Sequence, residues 1–317
     1  MATTGDGGGT SGPGVRLTVR VLGPLEVRRG DRVLTAQELG GPKQRQILEI
    51  LLLQLGTPVS KDRLVELLWG DRPPAAALQN LESYVSVLRR GLQPGAGRKG
   101  PLRTANGGYV MDAEAVDLDL RRFERAVERA GHCRPHEAYA LWCEALERAS
   151  APLLENELRC EWAERQREVH AARVLEARVS AAECALGLGL HHEAVRHARA
   201  ALVEDVLQER AWTVLVLGLE GSGRPVEGLQ AYEQCRRTLA RELGCAPATA
   251  LQDSYARMLR ATAETSGELG QVLTALLVLH GQLGDADWMP GTRAPLARQE
   301  AASVLQAFLG RSVGAAA

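Results

Sequence analysis

The periodicity of the apolar residues changes once along the chain, near Asp117, and this change constrains the fold more than any other feature. Before it, short alternating runs at Val15–Glu26, Arg32–Leu34 and Leu102–Met111 predict β-strands around three helical stretches. After it, one helical stretch follows another and the strand pattern is absent. The sequence therefore predicts a mainly α protein in which an α+β domain precedes an all-α domain.

The order of elements in the first domain is that of a winged helix-turn-helix. Strands come first, three helices follow, and Asn106-Gly107 between two strand-like runs predicts a closing hairpin. The third helix, Ala75–Leu92, is entered through Arg72-Pro73-Pro74, which ends the helix before it. A small α+β adaptor domain without a DNA role would show the same order, so both interpretations remain open on topology alone.

The third predicted helix has one apolar side and one polar side. The apolar residues, at steps of three and four, are Leu78, Leu81, Val85, Leu88 and Leu92. The remaining surface carries short polar and cationic side chains, which suit the base edges and phosphates of a DNA major groove. A plain amphipathic surface helix would show the same pattern.

The net charge of −1 conceals an uneven distribution. Residues 15–112 carry 15 Lys and Arg against 9 Asp and Glu, a net of +6. Residues from 113 onward carry 23 against 29, a net of −6. A basic first third on an acidic remainder is expected if only the first third meets a polyanion.

Two stretches of the second domain repeat at a spacing of 34 residues. The matching residues are Gly187, Gly189, Glu193 and Ala194 in the first copy and Gly221, Gly223, Glu227 and Gly228 in the second. That spacing is the period of tetratricopeptide helix pairs. Such repeats bind proteins or oligomerise, and they rarely do chemistry.

The sequence contains no motif for catalysis, metal binding or membrane insertion. The seven histidines have no HExxH arrangement and the six cysteines no CxxC spacing. We therefore expect no enzyme activity, no cofactor and no metal, and a cytoplasmic, nucleoid-associated protein with reduced thiols. No apolar run approaches the ~20 residues that span a bilayer. The Gly-rich residues 1–14 are expected to be a disordered tail.

Several longer motifs are more specific than these patterns. In the first domain they are Leu22-Gly23-Pro24-Leu25-Glu26-Val27, Gly41-Pro42-Lys43-Gln44-Arg45, Leu67-Leu68-Trp69-Gly70-Asp71, Pro73-Pro74, Tyr84–Leu92 and Gly108-Tyr109. In the second they are Pro152-Leu153-Leu154, Trp162, Gly223-Arg224, Ala231-Tyr232 and Leu239–Gly244. With these motifs, the chain from about Val15 to Arg260 resembles the SARP type of bacterial transcriptional activator, the antibiotic-pathway regulators of actinobacteria.

The resemblance implies an OmpR/PhoB-type winged-helix DNA-binding domain at 15–112 and a tetratricopeptide-like bacterial transcriptional activation domain at 113–261. Residues 262–317 are expected to form a helical C-terminal extension of unknown role.

The resemblance also implies a function. The chain would activate a secondary-metabolite (antibiotic) gene cluster by binding direct repeats in double-stranded promoter DNA. The implied partners are RNA polymerase holoenzyme, including its sigma factor, and a second protomer side by side. The alternatives are a tetratricopeptide-like interaction scaffold, or a ligand-responsive regulator whose winged helix binds protein.

The predicted DNA contacts fall into two sets. The base-facing residues are Gln79, Asn80, Ser83, Ser86, Val87, Arg89 and Arg90. The phosphate and wing residues are Lys43, Arg45, Tyr84, Arg103, Thr104, Asn106 and Tyr109. Ala105 stands where the family often carries a minor-groove arginine, so base reading is expected to rest mainly on the third helix.

Overall fold

The computed structural model describes residues 16–95, 100–158 and 160–265, with side chains described to residue 262 at the C-terminal end. The predicted N-terminal tail and nearly all of the predicted C-terminal extension lie outside these ranges. The chain divides into two compact units. The first contains the described residues up to Gly131 together with Cys143–Val174. The second contains His132–Trp142 and the described residues from Leu175 onward.

The predicted strands, helices and hairpin occur in the predicted order, and a short helix at Ala36–Leu39 and strands at Val59–Ser60 and Val116–Leu118 are present that were not predicted. The first part of the chain forms β1 (Leu17–Arg20), β2 (Glu26–Arg29), β3 (Arg32–Val33), α1 (Ala36–Leu39), α2 (Pro42–Leu53), β4 (Val59–Ser60), α3 (Lys61–Trp69), α4 (Ala77–Leu92), β5 (Leu102–Ala105), β6 (Gly108–Met111) and β7 (Val116–Leu118). The helices that follow are α5 (Asp119–Ala130), α6 (Pro135–Arg148), α7 (Glu161–Gly187), α8 (His191–Glu204), α9 (Glu209–Gly221), α10 (Pro225–Leu243) and α11 (Thr249–Thr265).

The winged fold contains two sheets. The first has the order β3-β2-β1-β7, with β1 antiparallel to β2 and parallel to β7. The second has the order β4-β6-β5, in which β5 and β6 form the predicted hairpin. Helices α2, α3 and α4 share a core that includes the fully buried Ile47, Leu64 and Leu88. The predicted mainly α fold with an N-terminal winged helix-turn-helix is confirmed.

The first compact unit continues past residue 112, where the sequence placed the end of the first domain. Strand β7 pairs with β1, with Leu17 opposite Val116. Further along, the Leu154 N–H donates to the Val21 carbonyl at 2.9 Å, and Leu154 is 1% exposed. Residues predicted to belong to the second domain thus complete the core of the first unit. At the other end, α11 runs to Thr265, beyond the predicted boundary at 261.

Helix α4 has the predicted amphipathic character with one correction. Its buried residues are Ala77, Leu81, Val85, Leu88 and Leu92. Leu78, predicted to lie on the buried side, is 49% exposed. Helical spacing does not decide this exposure, because position 78 stands seven residues, about two turns, before the buried Val85 and lies on the same side of the helix.

The second unit contains the predicted tetratricopeptide-like repeat. Helices α8 to α11 pack consecutively on one another. Gly189 and Gly223, 34 residues apart, both adopt the left-handed conformation before a helix, with φ of +74° and +68°. Ala194 and Gly228 are buried at the matched small positions. Among the described helices, none is long and apolar enough to cross a membrane.

A buried carboxyl on α2 makes folding stability depend on pH. Glu49 is 1% exposed, and its Oε2 atom has no hydrogen-bond partner within the described part of the chain. Burial, and after it the nearby Glu157, raises the pKa of Glu49 from 4.5 to about 8. Between these values the folded state keeps a proton that the unfolded state has released, so stability falls as the pH rises.

We therefore expect the free energy of unfolding of the unsubstituted chain to fall by roughly 3–5 kcal/mol between pH 4.5 and 8. Glu49→Gln should abolish this fall. Urea denaturation at several pH values measures the difference from the unsubstituted chain. Glu161→Gln, at an exposed position, is the control and should keep the original slope. An unchanged slope in Glu49→Gln would show that this carboxyl is ionised in the folded state.

Candidate nucleic-acid interface

The outward side of α4 presents one continuous polar stripe. Gln79, Ser83, Ser86 and Arg90 are exposed and follow one another at steps of four, three and four. They lie opposite the buried residues of the helix. The half-buried Asn80 and Val87 flank them on one side. The structure thus brings together six of the seven residues predicted to face bases.

The seventh, Arg89, is held by the wing. Its Nε donates to the Leu102 carbonyl at 3.2 Å, and its Nη2 donates to Thr104 Oγ1 at 2.7 Å. The guanidinium also lies 5.6 Å from the centre of the Tyr109 ring. Arg89 and Thr104, both predicted to contact DNA, therefore join α4 to β5.

Tyr109 lies beneath the interface rather than on it. Its side chain is packed in the core of the first unit, and the residue is 4% exposed. Burial raises the pKa of its hydroxyl, while the ammonium of Lys61, 6.0 Å from the ring, acts in the opposite direction. Tyr109 therefore has almost no exposed surface with which to make the predicted phosphate contact.

Lys43 and Tyr84, predicted to contact phosphates, support the helix-turn-helix. The Lys43 ammonium donates to the Leu68 carbonyl at 2.5 Å, where it satisfies one of the last carbonyls of α3. It also lies 5.8 Å from the Trp69 ring, which stacks on Tyr84 with ring centres 6.5 Å apart. Arg45 is half-buried on α2.

The wing tip has the predicted turn. Asn106 and Gly107 both have positive φ, 49° and 73°, as a two-residue hairpin turn requires. Asn106 is exposed at this tip. Arg103 is half-exposed and forms an ion pair with Asp112. Asn106, Arg103 and Thr104 are therefore the exposed residues among those predicted for the wing, and the Thr104 hydroxyl already accepts a hydrogen bond from Arg89.

Sequence reasoning missed an acidic residue on the same helix. Glu82 is 55% exposed, and its Oε1 accepts a hydrogen bond from the Lys61 ammonium at 2.5 Å. This hydrogen bond raises the pKa of Lys61. The interface is therefore not purely cationic. The spacing could have revealed Glu82, because it stands three residues after Gln79 and four before Ser86 and therefore lies on the same side of the helix.

Two family models match the chain in succession. The one described as "Transcriptional regulatory protein, C terminal" matches residues 35–111, which include the helix-turn-helix and the wing. The one described as "Bacterial transcriptional activator domain" matches residues 118–259.

Individual proteins match over most of the chain. Regulatory protein DnrI of Streptomyces peucetius is 33% identical over 258 residues, which cover 77% of this chain and 93% of DnrI. Regulatory protein AfsR of Streptomyces coelicolor is 33% identical over 267 residues, 81% of this chain but only 26% of AfsR. The structure of Mycobacterium tuberculosis EmbR in complex with a low affinity phosphopeptide superposes with a TM-score of 0.67 at 26% identity. That match covers 92% of this chain and 71% of EmbR.

The contacts of Arg89 lead to a prediction about the wing. Arg89→Ala removes two hydrogen bonds between α4 and β5, and local opening of the hairpin should become easier by about 1–2 kcal/mol. Amide hydrogen exchange across 102–111 should be correspondingly faster. Arg90→Ala removes the same charge from the next, exposed position and should leave this exchange unchanged. Equal protection in both variants would mean that Arg89 does not hold the wing.

Proposed function

The chain belongs to the SARP family of transcriptional regulators, and from this premise we propose that it is a sequence-specific activator that reads promoter DNA with helix α4. The observation that carries the proposal is the exposed stripe of α4, bordered by a wing that Arg89 fixes to the same helix. Through Arg89, the helix and the wing meet DNA as one unit.

The side chains of the stripe match the chemistry of base edges. An amide such as that of Gln79 pairs with adenine, and a guanidinium such as that of Arg90 pairs with guanine. Ser83 and Ser86 are short, so the helix backbone can approach the groove floor. Ser86 donates its hydroxyl proton to the Glu82 carbonyl at 2.9 Å, and its oxygen faces outward as an acceptor for a base amino group.

Contacts with the DNA backbone would come from residues at the edges of the α4 stripe. Arg103 and Asn106 on the wing, and Arg45 at the start of α2, are the candidates for phosphate binding. The excess of basic residues in 15–112 supplies the general attraction to DNA.

The second unit supplies partner surfaces in this proposal. Stacked helix pairs form extended surfaces that bind proteins. We assign to the repeat of α8–α11 the contacts with RNA polymerase holoenzyme and with a second protomer bound to the adjacent direct repeat. The target would be a promoter of a secondary-metabolite (antibiotic) gene cluster, and the protein would act in the cytoplasm on the nucleoid.

Fluorescence anisotropy with a labelled fragment of the promoter region next to its own gene tests the proposal. Binding should survive competition by unrelated DNA at physiological salt. Arg90→Ala should weaken it by about 1–3 kcal/mol and relax one base position. Arg129→Ala, at an exposed position of α5 outside α4, the wing and the repeat, is the matched control and should bind as the unsubstituted chain does. Binding that unrelated DNA removes completely would favour a protein-interaction scaffold instead.

Replacing Glu82 should change both base preference and affinity for DNA. A carboxylate in the major groove accepts a hydrogen bond from the cytosine amino group but repels phosphates. Glu82→Gln should therefore lower the preference for cytosine at one position while raising the affinity for random DNA. Selection from a randomised site, followed by salt titration, measures both effects. Glu66→Gln, the exposed partner of Arg63 on α3, should alter neither. If Glu82→Gln left the base preference unchanged, the role of Glu82 would be limited to its hydrogen bond with Lys61.

A further inference from the structure

A cleft of about 470 Å³ opens within the first unit, away from the stripe on α4. Its volume falls within the range of small-molecule sites, roughly 300–1,000 Å³. The walls come from the end of α2, from β4, from α3 and from the first turns of α7. Neither the fold nor the DNA contacts described above assign a role to it.

The floor of the cleft is apolar. Ile50, Leu53, Val59 and Leu67 line it, and the indole of Trp162 forms one side. With the indole of Trp162, this floor favours a flat, apolar ligand, because aromatic rings bury a large area against one another.

One side of the cleft is formed by a largely buried indole. Trp162 is 9% exposed, and its Nε1–H has no acceptor among the described residues. A buried N–H without a partner costs about 1–3 kcal/mol. Because this nitrogen is itself buried, the indole offers the cleft its carbon atoms and not its N–H group.

The rim is rich in guanidinium donors. Arg63 and Arg165 both line the cleft, each in an exposed ion pair, with Glu66 and Glu161 respectively. Each of these pairs occupies only part of the five N–H donors of an arginine. An acidic group in the cleft can therefore accept hydrogen bonds from guanidinium N–H groups that these ion pairs do not use.

We propose that this cleft is a binding site for a small aromatic acid. The rings lie on the apolar floor beside the indole of Trp162, and the acidic group faces Arg63 and Arg165. The site would act on the DNA-binding surface through two of its walls. Val59 pairs with Tyr109 of β6, and the Ser60 side chain accepts the Arg63 N–H to cap α3.

Isothermal titration with 8-anilinonaphthalene-1-sulfonate, an aromatic acid of suitable size, tests the proposal on the full chain. We expect saturable binding of one molecule per chain. N-phenyl-1-naphthylamine, which has the same rings but no acidic group, should bind more weakly. Absence of saturable sulfonate binding, or equal binding of the neutral amine, would overturn the proposal.

Substitutions at exposed positions locate the site without disturbing the core. Gln54→Trp places a large side chain at the cleft and should abolish saturable binding, whereas Thr57→Trp, exposed and outside the lining, should not. Arg165→Ala should weaken binding about two- to fivefold. Arg173→Ala removes a comparable exposed ion pair from the same helix and should have no effect. Unaltered binding in Gln54→Trp would show that the probe binds elsewhere and would reject the site.

Discussion

The first unit depends on a carboxylate that joins positions nearly a hundred residues apart. Asp119 accepts hydrogen bonds from the backbone N–H groups of Val21 and Leu22, each at 3.0 Å, and from that of Leu120 at 2.7 Å. These bonds satisfy donors just beyond the end of β1, while β7 pairs along the same strand. Strand β2, which pairs with β1, contacts α4 through Arg29, whose Nη1 donates to the Gly91 carbonyl at 2.8 Å. The sheet that Asp119 helps to close is therefore joined to α4.

The candidate interface contains side chains that face outward and side chains that hold its helix and wing in place. Arg89, Lys43 and Tyr109 have the residue types expected of DNA contacts, yet each has partners within the protein. A cation or a ring fixed in this way orients an element without reading a base. In the proposed function, base recognition is therefore assigned to the short stripe on α4, where few side chains would carry the discrimination.

Local patterns predicted the elements well because their causes are local. Ser60 caps α3 through the Arg63 N–H, and Asn106-Gly107 makes the two-residue turn. Long-range pairing was not predictable in this way. Val116–Leu118 is too short to show a strand pattern, and it is a strand only because β1 lies beside it.

The sequence by itself determined the two fold types, the order of helices and strands, the 34-residue repeat and the polar stripe, since periodicity and turn chemistry act between near neighbours. The tertiary structure alone decided where the first unit ends and which predicted contacts face solvent. It also decided that Leu78 lies outside and Tyr109 inside. Burial and hydrogen bonding depend on which distant segments meet, and one-dimensional spacing does not contain that information.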